Sequence, residues 1–533
     1  SVALLGDSEP RVRFFAALAA GRSKAPGAVP ALAKILRETG ESDTDLRHAA
    51  VMGLLGCASF PELERLAADP SPDVRMGALL VMRRSQDRSI ARFLADPEPR
   101  LVLEAARAIH DLPIEGTLGA LAELRPTAEQ LKKVGERALE RRVLNAAYRM
   151  GKADVLASHA ERADLSVESR VEALDLLARW EHPSPRDRVT NEWRPLAPRT
   201  LESLPAIAAR LATGAMSAAP DPVLAAFERF AGAAQAREVS GALAGWVTDA
   251  KRGVEVRTAA LAALETMKAD NLVATVRAAL ADTDGRVRAS ALERLERIDP
   301  LTALNLCASF ASEGEIAERR AAYGILGRQG GNKAVDVLVL ELERLLENLV
   351  PAELALDLLQ ACEMQHDARI AEMLETHRQM NSADPDVGPY LDALFGGDAQ
   401  LGQAVFERVD LSCTRCHAWW PDAAERVGPN LSGVGARLTR LQILESILTP
   451  NRRTTPGFGA RAFFLRDGRV VSGRVSEETD TLVRLFDASN NPVALERAEI
   501  EEERADLSAM PEDLAKSITP AEMRDLLEYL AGI

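Results

Sequence analysis

The sequence predicts a mainly α fold in two parts: a solenoid of helical repeats over residues 1–390, then a smaller helical domain over 396–533 with an antiparallel β insertion at about 459–504. Three observations predict it. Ala and Leu dominate and aromatic residues are only 4% of the chain, while 47% hydrophobic content is ample for a core, a balance that favours helices over sheets. A weak repeat runs through the first 390 residues. Beyond it stands the run Cys413-Thr414-Arg415-Cys416-His417, followed by strand-like segments.

The repeat unit is an acidic or Pro-containing turn, a Val-Arg-like pair, an Ala three residues after the Arg, and then Leu-rich helix. It recurs as Arg13 with Ala16, Arg47 with Ala50, Arg75 with Ala78, Arg170 with Ala173, Arg257 with Ala260, Arg288 with Ala291 and Arg319 with Ala322; Val102 with Ala105 keeps the Ala and loses the Arg. The last three copies are about thirty residues apart, the length of two helices and a turn. A small residue lets neighbouring helices approach closely, and the turns at Asp69-Pro70 and Asp96-Pro97 stop one helix and offer an acid to cap the next. The pattern resembles the HEAT repeat in its short bacterial form. Such arrays present a long face for protein contacts, and no catalytic constellation stands in this one.

An interruption at about 181–199 breaks the rhythm with His182-Pro183-Ser184-Pro185 and Asn191-Glu192-Trp193-Arg194-Pro195-Leu196. Two readings stand for Trp193: a contact element, or packing onto its own array. His48, His110, His159, His182, His366 and His377 each stand without a second His or Cys at ligand spacing. Cys57, Cys307 and Cys362 sit singly on apolar helical stretches, the usual setting of a buried free thiol. A formal charge of -15 argues against nucleic acid as a partner. It suits docking to a basic redox protein, and equally plain solubility. No stretch is apolar and long enough to span a membrane, and no signal-peptide pattern opens the chain, so a mature form or a fragment is expected.

In the C-terminal part, Gly396 and Gly397 form a turn and Asp398 caps a helix carrying Gly402, Val405 and Phe406, which delivers the chain to Cys413. Two thiols three positions apart can add to the two vinyl groups of one porphyrin, with the adjacent imidazole of His417 ligating the iron. The pattern arises by chance in roughly one chain of this composition in a thousand. Zinc would need further Cys or His ligands nearby, and none follows His417. The sixth iron position then falls to Met510 or Met523. Met523 lies on the apolar face of a last helix opened by Thr519-Pro520, with Leu526, Leu527 and Leu530, where packing accounts for it. Met510, in the loop Leu507-Ser508-Ala509-Met510-Pro511, is the favoured ligand. In Val427-Gly428-Pro429-Asn430-Leu431, the Pro429 carbonyl is placed to accept the Nδ1 proton of His417, unless the Gly-Pro pair is an ordinary turn. Trp419 and Trp420 either cover a porphyrin edge or simply pack. Strands are expected at 461–466, 469–476 and 482–486, with turns at Asp467-Gly468 and Asn490-Asn491-Pro492.

From about Leu401 to Ile533 the chain resembles the haem-binding domain found at the C-terminus of large planctomycete and verrucomicrobial multidomain proteins. The resemblance rests on the Cys413–His417 run, Val427-Gly428-Pro429-Asn430-Leu431-Ser432-Gly433-Val434-Gly435, Glu445-Ser446-Ile447-Leu448-Thr449-Pro450-Asn451, Asp467-Gly468 and Ser508-Ala509-Met510-Pro511. It implies a class I-like cytochrome c domain whose first and last helices cross, with Gly402, Phe406 and Tyr529 at the contact. In that family HEAT-like repeats often precede the domain, and a β-propeller resembling sugar dehydrogenases often precedes those; the propeller is absent here.

The expectation is therefore one covalent haem c held by Cys413 and Cys416, with iron ligands His417 and Met510. It would transfer electrons outside the cytoplasm, in the periplasm, from a dehydrogenase domain or subunit to a respiratory acceptor. No catalytic site is expected in this chain. The alternatives are the electron-accepting half of a sugar or alcohol oxidoreductase, and a scaffold with a haem sensor or peroxidase site.

Overall fold

Within each of the chain's two units the helices that open with the repeated Arg pack on one another in a ladder, because the Ala one turn further on leaves room for the neighbour. The computed structural model describes residues 2–40, 42–214, 216, 218–421, 423, 427–487, 491–508 and 510–533; Asn490 of the expected turn and Ala509 of the expected methionine loop lie outside them. The chain is mainly α, with a five-stranded antiparallel sheet near its C-terminus, and it divides into two units, 1–279 and 280–533.

In the first unit the ladder runs through Pro10–Ser23, Thr44–Cys57, Pro72–Ser85, Pro99–Asp111, Glu136–Arg149, Val167–Ala178, Asp221–Ala233 and Val254–Thr266, each packed on the next. Ala50, Ala78, Ala105, Ala173 and Ala260 are completely buried in it. The closest approach uses glycine: a Cβ on Gly56 would stand 2.1 Å from the Gly21 carbonyl oxygen. A side chain at either position would push the two helices apart.

The repeated Arg has a role that spacing alone does not reveal. Arg75 donates to the Asp69 carbonyl at 2.9 Å, in the turn before its own helix, and makes a two-pronged bond to Asp96 at 2.9 Å, in the turn that begins the next rung. Arg170 donates to the Ala160 carbonyl at 2.9 Å, left open at the end of the preceding helix. Guanidinium groups thus satisfy helix-end carbonyls and tie successive turns together. The turn acids also differ from expectation. Asp69 and Asp96 accept from Ser71 N and Glu98 N within the turn itself and cap no helix, whereas Asp43 caps Thr44–Cys57 through Leu46 N.

The 181–199 segment is pinned to the array by a buried polar cluster. Asp187, with no exposed side-chain surface, lies 3.4 Å from Arg194, 3.5 Å from Arg149 and 3.6 Å from His110. His110 also bonds Asn145 at 3.0 Å and Asp111 at 2.9 Å. Arg199 stacks over the Trp180 and Tyr148 rings at 3.8 and 4.4 Å. Trp193 itself is 67% exposed, so the segment packs through its charged residues and not through that indole. Nor is His159 isolated: it bonds Ser169 at 3.0 Å and lies 3.3 Å from buried Glu140. His110 and His159, solitary along the chain, are thus paired across elements of the array.

In the second unit Gly285–Ile298, Ile316–Gln329 and Ala352–Glu363 continue the same pattern, with Ala291 and Ala322 fully buried. Arg288 repeats the geometry of Arg75: it donates to the Asp282 carbonyl at 2.7 Å and to Glu318 at 2.6 and 2.8 Å. Cys307 and Cys362 are buried thiols, their pKa values pushed up to about 12 by burial. The boundary expected at 390–396 falls inside this unit. Leu356 of the last ladder helix shares one core with Val387, Ala393, Phe406 and Leu526, Arg320 donates to the Gly396 carbonyl at 2.9 Å, and Arg524 pairs with Asp357 at 2.9 Å.

The sheet has strands β1 (Gly459–Leu465), β2 (Val470–Glu478), β3 (Leu482–Phe486), β4 (Pro492–Glu496) and β5 (Ile500–Ser508) in the order β4-β3-β2-β1-β5. It buries its own small core of Phe463, Leu465, Val483, Leu485 and Leu495. It extends to Ser508, beyond the expected end near 504. The two unforeseen strands, β4 and β5, are the edges, where charge and weak alternation are tolerated and guard against further pairing.

One group in the first unit sets a pH dependence. Glu228 is completely buried, and neither carboxylate oxygen has a hydrogen-bond partner among the described residues. Burial outweighs the attraction of Arg252 and Arg229 and pushes its pKa up to about 9. An unfolded glutamate loses its proton near ~4.3, so between that pH and about 9 the folded state holds the extra proton and stability falls as pH rises. The limiting slope is about 1.4 kcal/mol per pH unit. Glu228→Gln removes that slope; urea-unfolding midpoints at pH 6 and pH 8 should differ for the wild type and converge for the variant.

Candidate functional site

Two helices frame the C-terminal site. The entry helix Ala399–Phe406 starts at Asp398, whose Oδ1 accepts from Gln400 N at 2.7 Å and Leu401 N at 3.1 Å. The closing helix Pro520–Gly532 starts in a Thr519/Glu522 capping box. They cross at Gly402, where a Cβ would stand 1.9 Å from the Asp525 carbonyl oxygen and 2.8 Å from the Tyr529 Cβ. Phe406 meets Tyr529 at 5.6 Å between ring centroids and Trp419 edge-on at 5.3 Å. Arg408 fastens the crossing from outside, donating to Glu522 at 2.6 Å and to the Ser517 carbonyl at 2.7 Å. Gly435 repeats the device further along, with a would-be Cβ 2.0 Å from the Ala531 carbonyl oxygen.

Out of the entry helix the chain turns at Ser412, in the left-handed region at φ 56°, into the single helical turn Cys413–Cys416. Neither cysteine is in a disulfide, and both are half-buried. Burial holds the Cys413 thiol above its usual pKa. His417 N closes the turn on the Cys413 carbonyl at 2.9 Å. The segment 428–431 then runs alongside, with Gly428 N on the Cys416 carbonyl at 2.9 Å and Leu431 N on the Ala418 carbonyl at 2.7 Å. This pairing puts the Pro429 carbonyl oxygen 2.9 Å from His417 Nδ1.

That contact defines the imidazole. A carbonyl only accepts, so Nδ1 carries the proton and Nε2 presents a lone pair. Desolvation lowers the His417 pKa and outweighs the opposing hydrogen bond, favouring the neutral ring that a metal requires. Gly428 makes room: a Cβ there would stand 2.6 Å from His417 Cε1 and 2.8 Å from Nδ1. Cys413, Trp419, Leu431, Leu438, Met510 and Leu514 are partly buried against one hydrophobic core. Met523 is completely buried within that core, its side chain taken up by packing among Leu526 and Leu527. Trp419 is tucked in, whereas Trp420 is 45% exposed.

These residues fit a covalently attached haem on two observations. The turn offers two thiols outside any disulfide, beside an imidazole whose Nδ1 is already engaged by a carbonyl. Met510, the candidate second iron ligand, is packed against the same hydrophobic core as Cys413.

Fold and site define a helical-repeat protein with a sheet-bearing C-terminal region around this motif. No family model matches the chain, and no curated protein matches it. Among solved structures, the crystal structure of Kap121p bound to Pho4p is similar at 14% identity and a TM-score of 0.40, covering 77% of this chain and 48% of that one. That of Kap121p bound to the extreme C-terminus of the phosphatase Cdc14p gives 14% and 0.38, covering 73% and 44%. The chain spans less than half the length of either.

Gly402→Ala should force the crossing helices apart. Overpacking at a backbone contact this close is expected to lower stability by about 3 kcal/mol, read from denaturant unfolding followed by tryptophan fluorescence in a chain whose Trp180, Trp193 and Trp246 are replaced by Phe.

Proposed function

We propose that this chain is an electron-transfer protein in which one haem c is bound through Cys413 and Cys416, with His417 and Met510 as iron ligands, on a helical-repeat scaffold. The observation that carries the reading is His417: its Nδ1 is committed to the Pro429 carbonyl, one residue beyond a Cys-x-x-Cys turn, so only Nε2 is free to bind a metal. The crossing of entry and closing helices at Gly402, Phe406 and Tyr529 supports the class I-like cytochrome c reading, as does the placement of Met510 against the same core as Cys413. When bound, the haem supplies a one-electron carrier, and a thioether ligand raises its potential.

The residues of the chain do the rest. Pro429 orients His417, Trp419 and Leu431 shield the site from water, and the array offers surface for a dehydrogenase donor and a respiratory acceptor protein. Covalent attachment of this kind implies assembly outside the cytoplasm, in the periplasm. No helix among the described residues is long and apolar enough to cross a membrane.

Co-expression with a c-type haem maturation system should yield a covalently haem-stained chain with sharp low-spin bands on reduction, and Cys413→Ala with Cys416→Ala should abolish the staining. A wild-type chain that stays colourless overturns the reading. Met510→Ala should lower the midpoint potential and admit carbon monoxide to the ferrous protein, while Met523→Leu should change neither; a potentiometric titration of the three proteins checks this.

A further inference from the structure

Asn451 stands just past the helix Arg440–Leu448, in the turn Thr449-Pro450-Asn451, and its amide reaches both sides of the Met510 loop. Its Oδ1 accepts from Ser508 N at 2.6 Å, and its Nδ2 donates to Glu512 Oε1 at 2.5 Å. The two contacts fall two residues before and two residues after Met510. Within the loop, Met510 N donates to Ser508 Oγ at 3.2 Å. The donor and acceptor identities fix the amide orientation, since a backbone N–H needs the oxygen and a carboxylate needs the NH2 group.

The anchor behind Asn451 is stiff. Ile443, Leu444, Ile447 and Leu448 of the preceding helix are buried in the core shared with the closing helix. Arg452, the next residue, pairs with Asp386 at 2.9 Å and with Asp384. On the other side Ser508 ends β5 opposite Gly459 of β1, so the sheet leaves and rejoins the helical core at one place.

We propose that Asn451 is a positioning residue for the methionine ligand: it clamps the Met510 loop at 508 and 512 and so holds the thioether in place for the iron. Neither aspartate nor alanine could hold both ends, because the clamp needs one acceptor and one donor on the same short side chain. The inference rests on the haem reading above, and on Met510 as ligand.

The test uses the haem-loaded full chain. Asn451→Ala should retain attached haem and native helicity but lose most of the methionine-to-ferric-iron charge-transfer band and bind carbon monoxide in the ferrous state. Loss of both hydrogen bonds, at about 1 kcal/mol each, corresponds to a roughly thirtyfold larger detached population. Asn451→Asp, which keeps the Ser508 contact and repels Glu512, should fall between. Pairing Asn451→Asp with Glu512→Gln exchanges donor and acceptor across that bond and should restore the band, a rescue that a general packing role does not predict. Amide hydrogen exchange at Ser508 in the haem-free chain should accelerate in Asn451→Ala, which reads the clamp without the cofactor. A wild type with the band and an Asn451→Ala variant that keeps it overturn this inference alone. A wild type without the band overturns the Met510 reading and this inference with it.

Discussion

The C-terminal region depends on a place where two backbones nearly touch. At Gly402 the entry helix lies so close to Asp525 that even a methyl group would overlap the carbonyl oxygen. The Cys413–His417 turn hangs from the end of the entry helix, and the Met510 loop leads into the start of the closing helix. Crossing those two helices therefore brings both ends of a 130-residue segment to one core, and Phe406, Tyr529 and Trp419 fill the angle between them. Gly435 against Ala531 and Arg408 against Glu522 reinforce the crossing.

The sheet fits within this arrangement because its first and last strands are partners. With β1 and β5 side by side, the fifty residues between Gly459 and Ser508 form a closed excursion that leaves the helical core and returns to it at one point. Its core of Phe463, Leu465, Val483, Leu485 and Leu495 is its own. The sheet ends at Ser508, where the Asn451 Oδ1 accepts from the backbone N–H.

The array uses a different currency. Its small residues set how near the rungs lie, and its arginines close the turns between them. Arg75 and Arg288, more than two hundred residues apart, each reach back to a carbonyl six residues earlier and forward to an acid in the next rung. Buried guanidinium and carboxylate groups are costly unless fully paired, so these bonds fix register as well as stabilise it. Glu228 differs: its buried carboxyl has no hydrogen-bond partner among the described residues, and burial pushes its pKa up to about 9.

Local pattern was enough for the mainly α class, the repeat positions, the three central strands, the caps at Asp398 and Thr519, and the pairing of Pro429 with His417, because each is set within a few residues or by a periodic apolar face. The alanines at repeat positions are buried where the spacing put them, with Ala16 only half-buried. Tertiary structure decided what depends on partners far along the chain. Edge strands β4 and β5 have a solvent face and carry little alternation. His110 and His159 look solitary, yet they find Asp187 in the 181–199 segment and Glu140 on a neighbouring helix. The join between array and C-terminal region reads as a glycine turn in the sequence, but Leu356 and Arg320 bind across it, so packing and not chain punctuation sets the boundary. Asn451 is the clearest case. In the sequence it ends a helix; its two hydrogen bonds, to residues 57 and 61 positions away, exist only because the core holds that turn against the methionine loop.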